Sequence, residues 1–345
     1  SAPTARRQRR LPRWRAQADR LTAAGLEVEE ITNRAKDYEN VVVGLILEKD
    51  RHPNADKLSL CKVTTGQGVV HQIVCGAQNH KANDKVIVAL PGAVLPGNFA
   101  IKQSVIRGVD SGGMLCSLKE LGLAQESNGI EILPEEAPLG EAFAKYQGLD
   151  DVTVELKVTP NRSDCLSHYG LAREIAALLE RPLKVVKPEW KPASDVSVKV
   201  DLQVKESRLS PRYCGRAVQN VKVGPSPTWL KKRLESVGMK SINNIVDVTN
   251  YVMMECGQPL HAFDFDQLAG GKIVVRNARA GEKFLAINNH TYELQAGMGV
   301  IADAEKPLAL AGIMGGKESE VSASTKTILL ESAEFVPLFI RRTSR

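Results

Sequence analysis

Two side chains in the second half of the chain are suited to hydrogen-bonding or acid–base chemistry. His261 follows a proline in "GQPLHAFDFD", and Glu331 ends the apolar run "TILLE". A carboxylate in an apolar run is costly to bury without a partner, and a histidine can hold a ligand or move a proton. By residue type alone, His261 is more typical of a structural histidine in a turn than of a site residue.

Two polar features flank this pair in sequence. The stretch "SINNIVDVTNYVMMECG" predicts a helix that ends at Gly257, with Asn243, Asp247 and Asn250 on one face at i, i+4 and i+7. Such a polar stripe is usually solvated. The stretch "LALAGIMGGKES" contains glycines whose backbone N–H groups could hold a carbonyl or a phosphate. These glycines are Gly312, Gly315 and Gly316.

The pattern of apolar residues predicts the secondary structure around these residues. At 345 residues, the chain predicts two or three domains. Short β-branched runs from Val41 to Leu121 favour a small closed barrel. A strand, the turn "TPNRSDC" and a helix follow over residues 151–183. In that turn Asn161 and Asp164 flank Arg162, which favours a capped helix start with an ion pair over a phosphate contact.

A second mixed α/β region begins after the linker "KVVKPEWKPASD", which ends near residue 193. In this region "SPTWLKKRLESVG" predicts a helix with Ser226 as N-cap, Pro227 at the first position and Gly238 as C-cap. Several short strands follow, among them "KIVVRNA", "GVIAD" and "TILLESAEF".

The charge of the chain is concentrated at its start. Of the net charge of +6, residues 1–20 contribute all, with seven Arg and one Asp. This arm is more typical of a disordered tail than of a phosphate-binding segment. The six cysteines are scattered without a CxxC pair, which predicts a reducing cytoplasm without disulfides or zinc. Neither a membrane-spanning run nor a secretory signal is evident, so we expect no membrane partner.

Three blocks in residues 40–150 resemble the OB-fold tRNA-binding module that is appended to several aminoacyl-tRNA synthetases. They are "HPNADKLSLCKV", "QIVCGAQN" and "VIRGVDSGGMLCSLKELGL". The resemblance implies RNA binding, with Lys57, Lys62 and Arg107 as candidate contacts. Residues 40–150 nevertheless contain ten Lys and Arg against twelve Asp and Glu, with only three aromatic residues. Direct tRNA contact by this barrel therefore stays open.

The blocks in their order resemble the β subunit of bacterial phenylalanyl-tRNA synthetase. "GLEVE", "HPNADKL", "VTPNR", "VDVTNYV", "GQPLHAFD" and "AGIMGG" are among them, and the similarity extends from Leu21 to Leu338. The family implies an α+β multidomain fold. An OB-fold β-barrel (residues 40–151) is inserted in a small discontinuous α/β domain (residues 1–39 and 152–190). A mixed α/β editing domain follows (residues 191–345).

The family also implies a function, the editing of Tyr-tRNA made in place of Phe-tRNA. The implied editing-pocket residues are Thr249, Asn250, Pro259, His261, Gly315 and Glu331. Glu331 would accept a hydrogen bond from the tyrosine hydroxyl, with His261 beside it. The implied partners are tRNA(Phe) and an α subunit in an α2β2 assembly. The α subunit holds the aminoacylation site of this class II ligase, and the complete enzyme uses ATP and Mg²⁺. We expect neither a metal site nor aminoacylation residues in this chain.

The sequence departs from the family at both ends. The arm "RRQRRLPRWRAQADR" lacks the expected apolar-acidic helix pattern, and a "HTDAS"-type segment that completes the editing pocket is absent before Arg345. We therefore expect this chain alone neither to charge tRNA nor to clear Tyr-tRNA. Two rival interpretations are a non-enzymatic tRNA-binding or assembly module, and a general aminoacyl-tRNA deacylase.

Overall fold

A computed structural model describes residues 13–344 of the chain, apart from 186–187, 192 and 194–196. The fold is mixed α/β with mainly antiparallel sheets, and it divides into two compact units. The first comprises Ser1–Val28 and Leu156–Arg345, and the second comprises Glu29–Glu155. Most of the predicted Arg-rich tail, residues 1–12, lies outside the described residues.

The described chain begins with helix α1 (Arg13–Ala23), so the last part of the Arg-rich arm is helical. Ala18 and Leu21 are buried on its inner face, a correction to the interpretation of residues 1–20 as a tail. Gly25, at φ 90°, ends the helix as predicted. Strand β1 (Glu27–Asn33) follows.

The second unit is built mainly from short strands. Their bounds are β2 (Val41–His52), β3 (Ala55–Thr64), β4 (Val70–Cys75), β5 (Lys85–Ala89), β6 (Val94–Leu95), β7 (Phe99–Ala100), β8 (Ser104–Ile106), β9 (Val109–Ser111), β10 (Met114–Leu115) and β11 (Ile132–Leu133), followed by α2 (Phe143–Tyr146) and β12 (Val152–Lys157). The main sheet has the order β10-β5-β2-β3-β4, and β11 also pairs with β5. Strands β1 and β12 pair with each other.

Strand β5 is buried on both faces. Ile87 and Ala89 point into one apolar cluster, whereas Val86 and Val88 point into another. This alternation explains the almost continuous apolar run "KVIVAL", because a strand that is covered on both sides has no solvated face.

The first unit continues after β12 with helices, two larger sheets and a two-stranded sheet. The elements are α3 (His168–Leu178), β13 (Asp201–Val204), β14 (Arg212–Val218), α4 (Thr228–Ser236), α5 (Asn244–Cys256), β15 (Leu260–Asp264), β16 (Lys272–Asn277), β17 (Glu282–Leu285), β18 (Thr291–Leu294), β19 (Gly299–Ala302), β20 (Pro307–Leu310), β21 (Met314–Gly315), β22 (Ile328–Glu334) and α6 (Pro337–Thr343). Strand β17 pairs with β18, and the two larger sheets have the orders β14-β22-β15 and β13-β16-β19-β20-β21.

These two sheets share one apolar core. Tyr213 of β14, Phe263 of β15 and Leu329 of β22 pack in the same buried cluster as Ile273 of β16 and Ile301 of β19. The face of the three-stranded sheet that carries Tyr213, Phe263 and Leu329 is therefore an interior face.

Helix α5 forms as predicted, and Gly257 ends it in the left-handed conformation. The prediction of a solvated polar stripe on this helix is wrong, because Asn243 caps the helix and Asp247 is fully buried. The Asp247 carboxylate accepts hydrogen bonds from the hydroxyls of Ser226 and Ser241 and from the Ile242 N–H. Burial raises the pKa of Asp247, but these hydrogen bonds outweigh it and hold the pKa below its usual value.

Ser226 consequently does not cap helix α4, a second correction. The residue before the helix is Pro227, and no side chain caps its first turn. The hydroxyl of Ser226 is used instead to hold Asp247 of α5. Gly238 follows α4 in the left-handed conformation, as predicted.

The turn around Arg162 is structural. Arg162 forms ion pairs with Asp164 at 3.1 Å and Glu174 at 2.8 Å, as the interpretation as an ion pair predicts. The N-cap of α3 is Ser167, which accepts from the Gly170 N–H, and not Asn161 or Asp164. Of the helices in the described part of the chain, none combines the length and the apolar character that a membrane crossing needs.

Candidate functional site

Strand β22 brings together Glu331 and His261. In the antiparallel register, Glu331 lies opposite His261 of β15 on one side and Gly215 of β14 on the other. Directly opposed residues of antiparallel strands project from the same face of a sheet. Glu331 and His261 are therefore neighbours on one face, although 70 positions separate them in the sequence.

That face is the interior one. Leu329 and Phe263, two residues along from Glu331 and His261, belong to the core between the two sheets. Glu331 itself is only 6% exposed. A carboxylate in an apolar layer is costly for the fold, so its presence here points to a role other than packing.

A tyrosine shares this position with the carboxylate. The Tyr213 hydroxyl donates a hydrogen bond to Oε2 of Glu331 at 3.0 Å, and both side chains are buried. No other side chain or backbone N–H in the described residues donates to the Glu331 carboxylate. Tyr213 is not among the site residues predicted from the sequence. The alternation in "RYCGRAV" places Tyr213 and Gly215 on one face, but the sequence does not say which strand lies beside them.

Burial shifts the pKa values of Glu331 and His261 in opposite directions. It raises the pKa of Glu331 to about 7, against the opposing effect of the Tyr213 hydrogen bond. It lowers the pKa of the partly buried His261 to about 4. Desolvation and the adjacent Glu331 carboxylate raise the pKa of Tyr213 well above its usual value of 10.0. Near neutral pH, His261 is therefore uncharged, Tyr213 is a hydrogen-bond donor, and Glu331 is close to its midpoint.

The His261 ring is held between an aromatic ring and a glycine. Its centroid lies 4.5 Å from that of Phe263, in an edge-to-face arrangement. A Cβ atom added to Gly315 would lie 2.6 Å from the His261 Cε1 atom. Any larger residue at 315 would displace the imidazole, so the glycine is needed for this close approach.

Three predicted site residues are not joined to this cluster by any hydrogen bond among the described residues. The Thr249 hydroxyl, on α5, donates to the carbonyl of Val246 in its own helix at 2.7 Å. Asn250 is partly buried on the same helix, and Pro259 is exposed just before β15. The structure thus brings together Glu331, His261 and Gly315 of the predicted set.

The predicted availability of the Gly316 N–H is wrong. This N–H donates to the carbonyl of Leu308 at 2.7 Å, as part of the sheet. The glycines at 315 and 316 instead permit close packing, since a Cβ at Gly316 would also collide with the Leu308 carbonyl.

The second unit contains a separate groove of about 940 Å³. Phe99, Lys102 and Lys119 are among its lining residues, and the three predicted RNA contacts are not. Lys62 forms an ion pair with Glu48 at 2.6 Å. The predicted Lys57 and Arg107 are exposed elsewhere on the surface.

One group of side chains has donor atoms close enough together for a cation. These are Asp164, Cys165 and Glu174, within 4.8 Å of one another. The Arg162 guanidinium already donates hydrogen bonds to all three. A cation would have to displace this arginine, so we assign no metal site to the group.

Replacing Glu331 with Gln is expected to stabilise the chain at alkaline pH. The pKa of Glu331 is higher in the folded state than in the unfolded chain. The contribution of Glu331 to the free energy of unfolding is therefore fully present below about pH 4.5 and is lost as the pH rises through about 7. Gln carries no charge and still accepts from Tyr213. We expect the free energy of unfolding to rise by roughly 1–3 kcal/mol at pH 8 and to change little at pH 5. Urea unfolding at both pH values measures this.

Glu334→Gln is the matched control, because Glu334 lies on the same strand but is exposed. It should show no such difference between the two pH values. A Glu331→Gln variant that is equally destabilised at pH 5 and pH 8 would show that the carboxylate is not a strained buried charge.

Comparison with known proteins places one domain family in each of the two compact units of the chain. Residues 41–142 match a family described as a putative tRNA binding domain, and residues 209–345 match the B3/4 domain family. The phenylalanine–tRNA ligase beta subunit of Bdellovibrio bacteriovorus is 64% identical over 329 residues, which are 95% of this chain and 40% of that protein. The beta subunit of Geobacter metallireducens is 54% identical, over 95% of this chain and 41% of that protein.

A solved N-terminal fragment of the phenylalanyl-tRNA synthetase beta subunit from Pyrococcus horikoshii is 17% identical. The structural match covers 54% of this chain and 56% of the fragment, with a TM-score of 0.32. The chain spans about two fifths of the length of the curated relatives that it matches. By the sequence similarity over 95% of its length, the chain belongs to the family of phenylalanine–tRNA ligase beta subunits and corresponds to an N-terminal portion of them.

Proposed function

We propose that this chain is the part of a phenylalanine–tRNA ligase that removes tyrosine wrongly attached to tRNA(Phe). The observation that carries the proposal is the Glu331 carboxylate, which is buried on an interior sheet face and already accepts a hydrogen bond from one phenol. A site with this chemistry is suited to a second phenol, that of a tyrosyl group.

The selection of tyrosine over phenylalanine needs such a carboxylate. The two amino acids differ by one hydroxyl, which an apolar synthetic pocket rejects poorly. A buried acceptor reverses the preference, because a phenyl ring would leave the acceptor without a partner. The hydrogen bond from a phenol to a carboxylate is also charge-assisted, and therefore stronger than a neutral one.

The neighbouring residues have distinct parts in the proposed site. His261 is neutral near pH 7 because burial lowers its pKa, so it can accept a hydrogen bond from the attacking water or from the tyrosine hydroxyl. Gly315 leaves room for the imidazole. We keep Thr249, Asn250 and Pro259 as proposed pocket walls on the resemblance alone.

The rest of the ligase is proposed from family membership. An α subunit would supply the class II aminoacylation site, with ATP and Mg²⁺, in an α2β2 assembly that binds tRNA(Phe). We propose that the insertion at residues 40–151 is an OB-fold barrel. Residues 1–39 and 152–190 would form one domain, and residues 191–345 would form the editing domain. Six free thiols, four of them buried, suit a reducing cytoplasm.

The rival interpretations account for less of the molecule. A pure tRNA-binding or assembly module has no use for a carboxylate in the core of its other unit. A general deacylase would not need an acceptor aimed at the amino-acid side chain. Both rivals predict that the hydrolysis of Tyr and Phe esters responds equally to changes at Glu331.

In the complete ligase, Glu331→Gln is expected to lower the ratio of Tyr-tRNA to Phe-tRNA hydrolysis by about tenfold. The amide still accepts a hydrogen bond but loses the charge, a difference of roughly 1.4 kcal/mol or one decade. Single-turnover deacylation of both esters measures the ratio, with Glu334→Gln as control. An unchanged ratio at a lower overall rate would assign Glu331 to the chemical step instead.

A second function is favoured by the groove of the second unit, namely RNA binding. Phe99 is exposed and lines the groove together with Lys102 and Lys119, and neither lysine is in an ion pair with a described residue. An aromatic ring next to free cations suits a stacked base and its phosphates. We propose that this groove, rather than the surface that carries Lys57, Lys62 and Arg107, is where the unit contacts tRNA.

A double change of Lys102 and Lys119 to Glu is therefore expected to weaken tRNA binding about tenfold or more near 100 mM salt. It should also flatten the plot of log affinity against log salt by about one to two units, because each phosphate contact releases a counterion. Filter binding across a salt series measures both. Changing Lys57 and Lys62 to Glu alters the charge equally and is the control, and an equal loss in that variant would rule out the groove.

A further inference from the structure

The hydrogen bond from Tyr213 uses only one of the two carboxylate oxygens of Glu331. Oε2 accepts from the Tyr213 hydroxyl at 3.0 Å. Within the described part of the chain, nothing donates a hydrogen bond to Oε1. A carboxylate can accept at both oxygens, so one half of it is occupied by the protein and the other half is available to a ligand.

Both side chains are fixed by the sheet rather than by a loop. Glu331 lies in the central strand β22, paired on both sides. Tyr213 lies on β14 opposite Ala333. Ala333 is two residues after Glu331 in β22 and projects from the same face of the sheet. The Tyr213 ring packs in the core with Phe263 and Leu329. The phenol therefore has little freedom to leave Oε2, and the carboxylate plane is set by a rigid neighbour.

Packing alone does not explain the hydroxyl. A phenylalanine at position 213 would fill the same apolar layer, and a buried tyrosine hydroxyl is costly unless it has a partner. The partner here is itself a buried charge that has no other donor among the described residues. The Tyr213 hydroxyl and the Glu331 carboxylate therefore form one unit, which holds Oε1 in a single orientation.

We infer that Tyr213 is a positioning residue that favours the ionised form of Glu331 and fixes its orientation, so that Oε1 selects the hydroxyl of a tyrosyl substrate. The inference rests on the proposed function and adds to it a specificity-determining residue. Tyr213 acts through Glu331 and does not itself touch the substrate.

Other charged groups do not share this role. Tyr213 from β14 and His261 from β15 are the titratable groups that project beside Glu331 on its own face. The remaining titratable residues of these two strands project from the opposite face. They are Arg212, Cys214, Arg216 and Asp264. The facing sheet contributes apolar residues to the shared core and Gly315 beside His261. The removal of the Tyr213 hydroxyl therefore leaves the carboxylate without its one donor.

Tyr213→Phe in the complete ligase tests the inference. The lost donor raises the pKa of Glu331 further, so less carboxylate is present at pH 7. We expect the ratio of Tyr-tRNA to Phe-tRNA hydrolysis to fall about fivefold at pH 7, because a rise of about one unit from a pKa of about 7 lowers the ionised fraction of Glu331 from about one half to about one tenth. The ratio should recover as the pH rises towards 8.5, after subtraction of spontaneous hydrolysis. A loosened core would not recover in this way.

Tyr38→Phe is the matched control, because the Tyr38 hydroxyl is also buried and donates to the Leu121 carbonyl at 3.0 Å in the other unit. It should leave the ratio and its pH profile unchanged. In a Glu331→Gln background, Tyr213→Phe should add no pH dependence, since the group that it tunes no longer titrates.

The inference is overturned if Tyr213→Phe keeps the wild-type ratio and pH profile while the wild type prefers the Tyr ester. It is also overturned if the variant loses the same selectivity in the Glu331→Gln background. A wild-type ligase that shows no preference for Tyr-tRNA contradicts the proposed function itself, because there is then no selectivity for Tyr213 to support.

Discussion

The burial of one carboxylate is the constraint on which the first unit depends. Glu331 lies in the middle strand of a three-stranded sheet, on the face that packs against the second sheet. An ion in such a layer is unstable unless something donates to it. Tyr213 from one neighbouring strand supplies that donor, and the other neighbouring strand places His261 alongside. The order of the three strands therefore determines the chemistry of the site.

In the proposed function, the same environment makes the site selective. Burial moves the pKa of Glu331 up to about 7 and that of His261 down to about 4. An uncharged imidazole beside a half-ionised carboxylate offers hydrogen-bond acceptors and few fixed charges. This combination disfavours a bare phenyl ring and favours a phenol, because only the phenol restores the hydrogen bond that burial removed. The burial of this carboxylate lowers the stability of the fold, and the proposed function gives that cost a purpose.

Much of this fold could be predicted from local patterns. The helix that ends at Gly257 was predicted correctly, since it depends on nearby residues alone. The burial of Asp247 was not, because its donors Ser226 and Ser241 come from outside the helix. Tyr213 was missed for a related reason, because the sequence of a strand does not show which other strand pairs with it. The domain bounds and the pocket walls at Thr249, Asn250 and Pro259 remain predictions.

The central claim is that Glu331 is a buried acceptor that recognises a phenol, and the ¹³C NMR titration of its carboxyl carbon tests this most directly. For a carboxylate buried in this way we expect a midpoint near 7. Tyrosinamide should lower the midpoint, because a donor that binds the carboxylate favours the ionised form, and phenylalaninamide should not. A midpoint between about 4 and 5, near that of a solvated glutamate, or the same response to both amides, would show that Glu331 is not such an acceptor.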